Sequence, residues 1–410
     1  MYDLSSVDTL EFHRSMLDDR ERMDAYYRAI LEVVKPGDVV LDIGSGTGIL
    51  AYFACLAGAR HVYAVEQGSV IELARALCRH NGCQDLVTFL NDWSTHIELP
   101  EAADVLITET IGNAGFDEGI IGWVNDARKR LLSPDGKIIP YAVDLIAVPM
   151  QSKAAYDSVA DWSDDLYGYD FGPARRLAAN QMVFTYLPPA SFLSKPVTLD
   201  HVVLNDSTRD GDRAGGASIA SVNRDGWVHG LGCWFSAELV PGLILSNRPP
   251  DRAPSWGHAF LPLEEPCKVS AGDQLELAIH TSANSAHWHW QVNRIRRSNG
   301  EKRVLSSDQH TTLNGQIVVK KPGLKNLSPA LNENATIDLF ILQQMDGETA
   351  VEEISRRLQK RFSSRMADPQ LALERVRSVI RHYGLERGSG EVDEETGRQV
   401  DKETSRQGNK

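Results

Sequence analysis

Two carboxylates, Glu109 and Glu118, bracket the stretch TETIGNAGFDEG, which follows the apolar run ADVLI and carries glycines and few large side chains. A loop of that composition suits a planar guest of permanent charge. A guanidinium presents five N–H donors in a fork, and one carboxylate can take it bidentately. A second carboxylate would fix the remaining edge and the direction in which a terminal nitrogen points. Each glutamate also has a plain structural use. Glu118 stands near the start of the helical run GIIGWVNDARKRLL, where the helix dipole favours an acid, and Glu109 sits at a strand end.

Upstream, VVLDIGSGTG reads as a strand running into a glycine turn that opens a helix. Gly44, Gly46 and Gly48 let the backbone approach a ligand closely. Glu66 ends the next strand, about twenty residues on, where a carboxylate can accept both hydroxyls of a ribose. A dinucleotide site such as one for NAD wants G-x-G-x-x-G, with amides aimed at a pyrophosphate. Here the spacing is G-x-G-x-G, preceded by Asp42, whose charge repels a pyrophosphate and suits a cation. S-adenosyl-L-methionine, which carries a sulfonium and an ammonium, is the better fit.

These residues need a sheet to present them, and residues 36 to 150 supply one. VVLDIG, VYAVE, VTFLND and DVLITET read as strands; GILAYFACLAGA and IELARALCRHNG read as helices. NDARKRLLSPDG ends a helix in a turn, and KIIPYAVDLIAVPM resumes as strand. Strand–helix alternation predicts βαβ units and a parallel sheet. From about 185 to 320 short β-rich pieces are separated by Gly, Pro, Asn and Asp, which predicts an all-β domain.

A chain of 410 residues with a formal charge of −13 should hold two or three domains and favour cationic partners over polyanions. No apolar run approaches the ~18 residues of a membrane span, and MYDLSSVDTLEF has no signal-peptide pattern. Five cysteines, an odd number without a C-x-x-C pair, read as reduced thiols of a cytoplasmic protein. SAHWHWQV places His287 and His289 two apart, with His280 nearby. That spacing could ligate zinc, but no Cys or carboxylate motif converges on it. Alternating Trp and His reads instead as a half-buried strand, and no metal is expected.

VLDIGSGTGILAYFACLAGARHVYAVE closely resembles the S-adenosyl-L-methionine site of protein arginine methyltransferases, which are class I methyltransferases. FHRSMLDDRERMDAYYRAI resembles that family's N-terminal helical lid. The resemblance implies that His13, Met16 and Arg22 close over the cofactor, the arginine on its carboxylate, beside Asp42, Gly44, Gly46 and Glu66. It also implies that Glu109 and Glu118 are the family's catalytic pair. DWSDDLYGYDF, Asp161 to Phe171, resembles the arm through which family members form homodimers, and the β-rich half corresponds to the family's barrel. Two departures stand out. The first glutamate is followed by Thr110 and Ile111 instead of Trp–Met, so the pocket wall should differ. The barrel's Thr-His-Trp is replaced by Pro254, Ser255 and Trp256, which should leave Asp19 in the lid without its histidine partner.

After KKPGLKNLSP the pattern turns to short amphipathic helices. Ile337, Ile341 and Met345 share one face, Gly347 is placed as a helix stop, and Thr349 with Glu352 has the capping-box spacing. Val351, Ile354, Leu358 and Phe362 line a second helix; Leu373, Val376, Ile380 and Tyr383 should line a third. The segment resembles PqqD-like domains, which bind leader peptides of ribosomally made, modified peptides, often on a small β-ribbon that GQIVVKKPG could supply. Arg356, Arg357, Arg375, Arg377 and Arg381 raise nucleic-acid binding as a rival, against which Glu352, Glu353 and Glu374 argue.

The expected architecture is therefore an α/β Rossmann-like methyltransferase domain, a β-barrel domain and a small winged-helix-like helical domain. The divisions fall at 1–145, 146–320 and 321–386, with a disordered tail at 387–410. The expected activity is methylation of a peptide or protein arginine, with the substrate recruited by a leader bound to residues 321–386. Two rivals stay open: methylation of another side chain or a small molecule at N or O, and a non-catalytic DNA-binding regulator.

Overall fold

The computed structural model describes residues 10–383, except 161, 163–166, 206–210, 212, 250–254, 282–286, 296–301, 306–308, 313–332, 348 and 364. The chain forms two compact units, Met1–Val319 and Lys320–Lys410.

The first unit opens with α1 (Leu10–Asp18) and α2 (Arg20–Val33). Ala25, Tyr26, Ala29 and Ile30 form the buried face of α2 at helical spacing, and Asp19 caps it by accepting from the Arg22 amide at 3.2 Å. There follow β1 (Val39–Ile43), α3 (Ile49–Leu56), β2 (His61–Val65), α4 (Ile71–His80), β3 (Val87–Leu90), β4 (Ala103–Thr108), α5 (Ile120–Arg130) and β5 (Leu132–Ile139). The strands make a parallel sheet in the order β3-β2-β1-β4-β5. Every residue of β1 is buried, which is why VVLDI is nearly continuously apolar instead of alternating. Strand order reverses beside β1, so the connections after β1 and β4 diverge and leave a crevice at their carboxyl ends. Ile43 pairs with Thr108, so the glycine turn and the glutamate loop leave the sheet side by side.

KIIPYAVDLIAVPM is two strands and not the one expected. β5 ends at Ile139, and β6 (Ala142–Met150) belongs to another sheet. Pro140 lies between them, where it removes a ladder donor and fixes its own φ. The expected boundary at 145 accordingly falls inside β6. The turn expected at LLSPDG is absorbed into β5 as a register shift opposite Ala103–Val105. The reduced-thiol expectation fails at Cys78 and Cys83, which are joined as a disulfide. The chain folds back after α4 so that the Cys83 amide donates to the Cys78 carbonyl at 3.0 Å, which brings the two sulfurs together.

Beyond β6 come α6 (Lys153–Ala160), α7 (Gly172–Ala178) and the strands β7 (Val183–Thr185), β8 (Val197–Val203), β9 (Gly215–Ser221), β10 (Gly226–Val240), β11 (Leu243–Ser246), β12 (His258–Val269), β13 (Gln274–Thr281), β14 (His287–Ile295), β15 (Lys302–Val304) and β16 (Gln309–Thr312). They form two antiparallel sheets, β7-β12-β10-β6-β8 with β11 on β10, and β15-β14-β13-β9 with β16 on β14. Among the described residues these sheets close into no barrel. β14 alternates, with Trp288 and Trp290 buried and His287 exposed, and His289 lies opposite His280. Among the described residues no group of three or more His, Cys, Asp or Glu could hold a metal ion.

The second unit contains α8 (Glu333–Gln344), α9 (Val351–Arg361) and α10 (Pro369–Tyr383). Ile337, Ile341, Ile354 and Leu358 enter its core as expected, with Met345, Val351 and Phe362 packed against it. The buried face of α10 is Ala372, Val376 and Val379; Leu373 and Ile380 are only half-buried. Both sets satisfy the 3.6-residue period, and alanine is too weak an apolar signal to choose between them. The capping box does not form. Asp346 takes both the amide and the hydroxyl of Thr349 at 2.7 Å, and Ala350 becomes the N-cap. Tyr383's side chain, Arg381's side chain, the ribbon GQIVVKKPG and the tail 387–410 lie outside the described residues. No helix among the described residues is long and apolar enough to cross a membrane.

Candidate active site

The glycine turn after β1 is knitted to the end of β2. The amides of Gly44 and Ser45 both donate to the Val65 carbonyl, at 2.9 and 3.0 Å. Glu66 closes the turn by accepting from the Gly46 amide at 3.0 Å and the Gly68 amide at 2.7 Å. Gly46 has φ +52°, and a Cβ there would lie 3.5 Å from the His13 ring, so the lid closes on bare backbone. Asp42 is fully buried, and neither of its carboxylate oxygens has a partner in good hydrogen-bond geometry, the Ala51 amide being the one donor that acts on it; the buried hydroxyl of Ser45 is also without a partner. Burial pushes the Asp42 carboxyl up to about 7, against the pull of the Ala51 amide and with some help from the Glu66 charge. Such an orphaned acid is completed by a cation with N–H donors, so an S-adenosyl-L-methionine-like ligand fits this cradle and a pyrophosphate does not.

The glutamate loop faces the same crevice. Glu109 forms a close ion pair with Arg22 of α2, whose side chain is 5% exposed. Arg22 also donates through Nη1 to the Ser255 hydroxyl at 3.2 Å, and its Cζ lies 4.4 Å from the centre of the Trp256 ring. Burial lowers the Arg22 pKa from its usual value, opposed by Tyr26, Glu118 and Asp19, and a guanidinium so partnered keeps its charge. Its Nε is buried without a partner. Glu118 stands two residues before α5, whose N-cap is Gly119. Its side chain remains open to solvent although protein crowds it, as at the floor of a cleft. That crowding, followed by the neighbouring Asp117 charge, raises its pKa, and Arg22 opposes the rise.

Sequence reasoning missed what holds the loop in place. Asp117 is buried and turns both oxygens inward, accepting from the Asn113 amide at 3.0 Å and the Ala114 amide at 2.7 Å. Gly112, φ +72°, leaves the room this requires, since a Cβ there would sit 2.5 Å from the Asp117 carboxylate. Burial pushes the Asp117 carboxyl up to about 6 although those amides pull it down. Asn247, fully buried after β11, donates to the carbonyls of Asn113 and Gly257 at 2.8 Å each and accepts from the Phe235 amide at 3.0 Å. The Gly257 amide returns a bond to the Asn113 side chain at 2.7 Å. Asp117 could have been noticed as an acid beside Glu118; Asn247 has no local signal at all.

The structure thus brings His13, Arg22, Asp42, Gly44, Gly46, Glu66, Glu109 and Glu118 to one crevice, with Met16 half-buried in α1. Ile111 packs in the buried core. One expectation needs correction. Asp19 is not left without a partner: the Ser255 hydroxyl donates to it at 2.6 Å.

Two family models match the chain: the ribosomal protein L11 methyltransferase (PrmA) over residues 26–139, and the PRMT5 oligomerisation domain over residues 198–358. Among curated proteins, the chain is 31% identical over 294 residues to protein arginine N-methyltransferase 2 of Xenopus tropicalis, covering 68% of each. It is 32% identical over 278 residues to the arginine N(omega)-methyltransferase of Streptomyces achromogenes subsp. streptozoticus, covering 65% of this chain and 75% of that one. Among solved structures, the Trypanosoma brucei PRMT1 enzyme–prozyme heterotetrameric complex with AdoHcy superposes with a TM-score of 0.66 at 24% identity, over 73% of this chain and 97% of that chain.

Proposed function

Because the chain belongs to the protein arginine N-methyltransferase family, we propose that it methylates an arginine guanidinium held between Glu109 and Glu118. As a member of that family it is an S-adenosyl-L-methionine-dependent methyltransferase. The observation that carries the acceptor assignment is the glutamate pair facing the crevice, where Glu109 already accepts one guanidinium, that of Arg22. When bound, S-adenosyl-L-methionine supplies a methyl group on an electrophilic sulfonium. Asp42 and the turn at Gly44 and Gly46 would hold its cationic amino-acid end, Glu66 its ribose, Arg22 its carboxylate, and His13 and Met16 would cover it. Glu109 and Glu118 would orient the acceptor and offset repulsion between two cations. Glu118, with its raised pKa, is placed to take the proton that the acceptor nitrogen releases. Alignment of this kind contributes up to ~7–11 kcal/mol in well-oriented systems.

In this reading residues 1–145 hold the cofactor, residues 146–320 form the acceptor side, and residues 321–386 recruit a peptide by its leader. Support for the last role is the PqqD-like sequence and a groove of about 400 Å³ lined by Val351, Glu374, Arg377 and Ile380. The protein would act as a homodimer, which fits the exposed aromatics Trp162, Tyr167 and Tyr169 of the arm. Its placement in the cytoplasm rests on sequence composition, with the Cys78–Cys83 bond as the observation against it.

A second reading, arginine itself as acceptor, is favoured by the likeness to the Streptomyces arginine N(omega)-methyltransferase. The test incubates the full chain with S-adenosyl-L-methionine and either arginine-containing peptides or free arginine, followed by mass analysis. A gain of one methyl on a peptide arginine supports the first reading, and a gain on free arginine alone supports the second. A gain on another atom retires the clamp.

A further inference from the structure

Ser255 stands where the sequence departs from its family, and its hydroxyl joins two residues of the lid, Asp19 and Arg22, the second of which is paired with Glu109 of the catalytic loop. It donates to Asp19 Oδ2 at 2.6 Å and accepts from Arg22 Nη1 at 3.2 Å. Its single proton goes to the carboxylate, which leaves the oxygen lone pairs to the guanidinium, so both bonds form at once. Asp19 is 1% exposed and already accepts the Arg22 amide through its other oxygen. The Arg22 head is thereby gripped on three sides: by Ser255 at Nη1, by Glu109 at Nη2 and by the Trp256 ring over Cζ. Only Nε remains without a partner.

We propose that Asp19 and Ser255 form a positioning pair that sets the plane of the Arg22 guanidinium, so that Nη2 fixes Glu109 and the head is held in the orientation that meets an anionic group of the cofactor. This rests on the methyltransferase reading above and makes Ser255 a positioning residue, since it touches neither cofactor nor acceptor. An uncharged hydroxyl performs the task. Without it, the buried Arg22 head would lose its Nη1 acceptor, and Asp19 Oδ2 would lose its donor. The guanidinium could then rotate about its remaining bond to Glu109, and both Glu109 and the plane of the guanidinium would drift.

The test uses the full chain carrying Ser255→Ala or Ser255→Thr and measures binding first, turnover second. The ligands are S-adenosylhomocysteine, which has the amino-acid carboxylate, and 5′-methylthioadenosine, which lacks it. Ser255→Ala should weaken S-adenosylhomocysteine binding about ten-fold, the effect of one lost hydrogen bond to a charged group, while 5′-methylthioadenosine changes less than two-fold. Ser255→Thr keeps the hydroxyl and should restore the discrimination. With an arginine acceptor, Ser255→Ala should lower kcat by about ten- to a hundred-fold, as small misplacements of a reacting group do. Equal loss for both ligands, or no loss for either, overturns the proposal, and so does failure of Ser255→Thr to rescue. The binding assay involves no acceptor, so if discrimination holds and no arginine is methylated, only the acceptor assignment falls.

Discussion

The cofactor cradle and the glutamate loop leave the same sheet from neighbouring strands, yet they are completed in opposite ways. The cradle comes from one contiguous stretch, β1 to Glu66, and its principal acid is nearly bare: neither oxygen of Asp42 has a partner in good hydrogen-bond geometry. Two acids of the loop are answered by the protein itself. Asp117 is satisfied by the Asn113 and Ala114 amides, and Glu109 by Arg22. Their supports come from far along the chain, at Asp19, Asn247, Ser255 and Gly257. A bare buried acid is completed by a ligand cation. An acid already answered is held ready by the fold, and a guanidinium guest must share Glu109 with Arg22.

Neutralising the two glutamates in turn should have the largest effect. Glu118→Gln should lower kcat/KM for an arginine acceptor by about 10²–10³-fold, as expected for one arm of a desolvated charge pair, and leave folding stability nearly unchanged. Glu109→Gln should cost activity on that scale and also about 3–5 kcal/mol of stability, because it strands the buried Arg22 cation. Urea denaturation beside steady-state kinetics separates the two. If both variants are equally stable, the ion pair with Arg22 is not holding the lid, and the contrast between bare and answered acids fails.

Asn247→Ala tests the long-range support. It leaves the Phe235 amide and the carbonyls of Asn113 and Gly257 without partners in a buried site. The expected loss is about 2–4 kcal/mol of stability, with a fall in turnover and little change in cofactor affinity. An equal loss of cofactor affinity would mean that the cradle depends on the same knot.

The same contrast governs what could be read in the sequence. The cradle was legible because VVLDIGSGTG carries strand, turn, helix start and ligand preference within a few residues. The alternation of strands and helices from 36 to 150 likewise depends on neighbours in sequence. The supports of the loop were not legible, because Asn247 and Ser255 act only where the chain returns to Asn113 and Asp19. A buried asparagine has the composition signature of a turn. The split of β5 from β6 at Pro140, and the choice of Ala372 over Leu373 on α10, were hidden for a different reason. In both cases two patterns fitted the local period equally well, and packing decided between them.

Asp42 gives a smaller effect with a definite sign. Its folded-state pKa, about 7, lies above the ordinary 3.8. Between those values the folded chain binds a proton that the unfolded chain releases. The contribution to stability is therefore fully present below 3.8 and is lost as pH rises through about 7. A bound cation favours the carboxylate and reverses the preference. Cofactor binding at about pH 6 should release up to one proton, and affinity should rise as pH passes through about 7. Calorimetry in buffers of different ionisation enthalpy counts that proton. Asp42→Asn should abolish the release and weaken binding by about ten- to a hundred-fold. Proton release unchanged in Asp42→Asn would assign the titration to another group.

The two regions touch at Gly44. Gly44 has φ +73°, and a Cβ on it would lie 3.0 Å from the Thr110 methyl carbon. Gly44→Ala therefore adds two separable penalties: about 1–2 kcal/mol for a left-handed backbone at a residue with a Cβ, and a smaller steric push on the glutamate loop. Thr110→Ser removes the methyl and keeps the hydroxyl that meets the Thr108 hydroxyl at 3.0 Å. In the double variant the backbone penalty should remain and the push should vanish. The double-mutant cycle should then show a coupling of about 0.5–1 kcal/mol in stability, with kcat recovering toward that of Thr110→Ser alone. Zero coupling would mean that cradle and loop are mechanically independent despite leaving adjacent strands. Coupling in cofactor affinity and not in kcat would mean that the glycine serves the cradle alone.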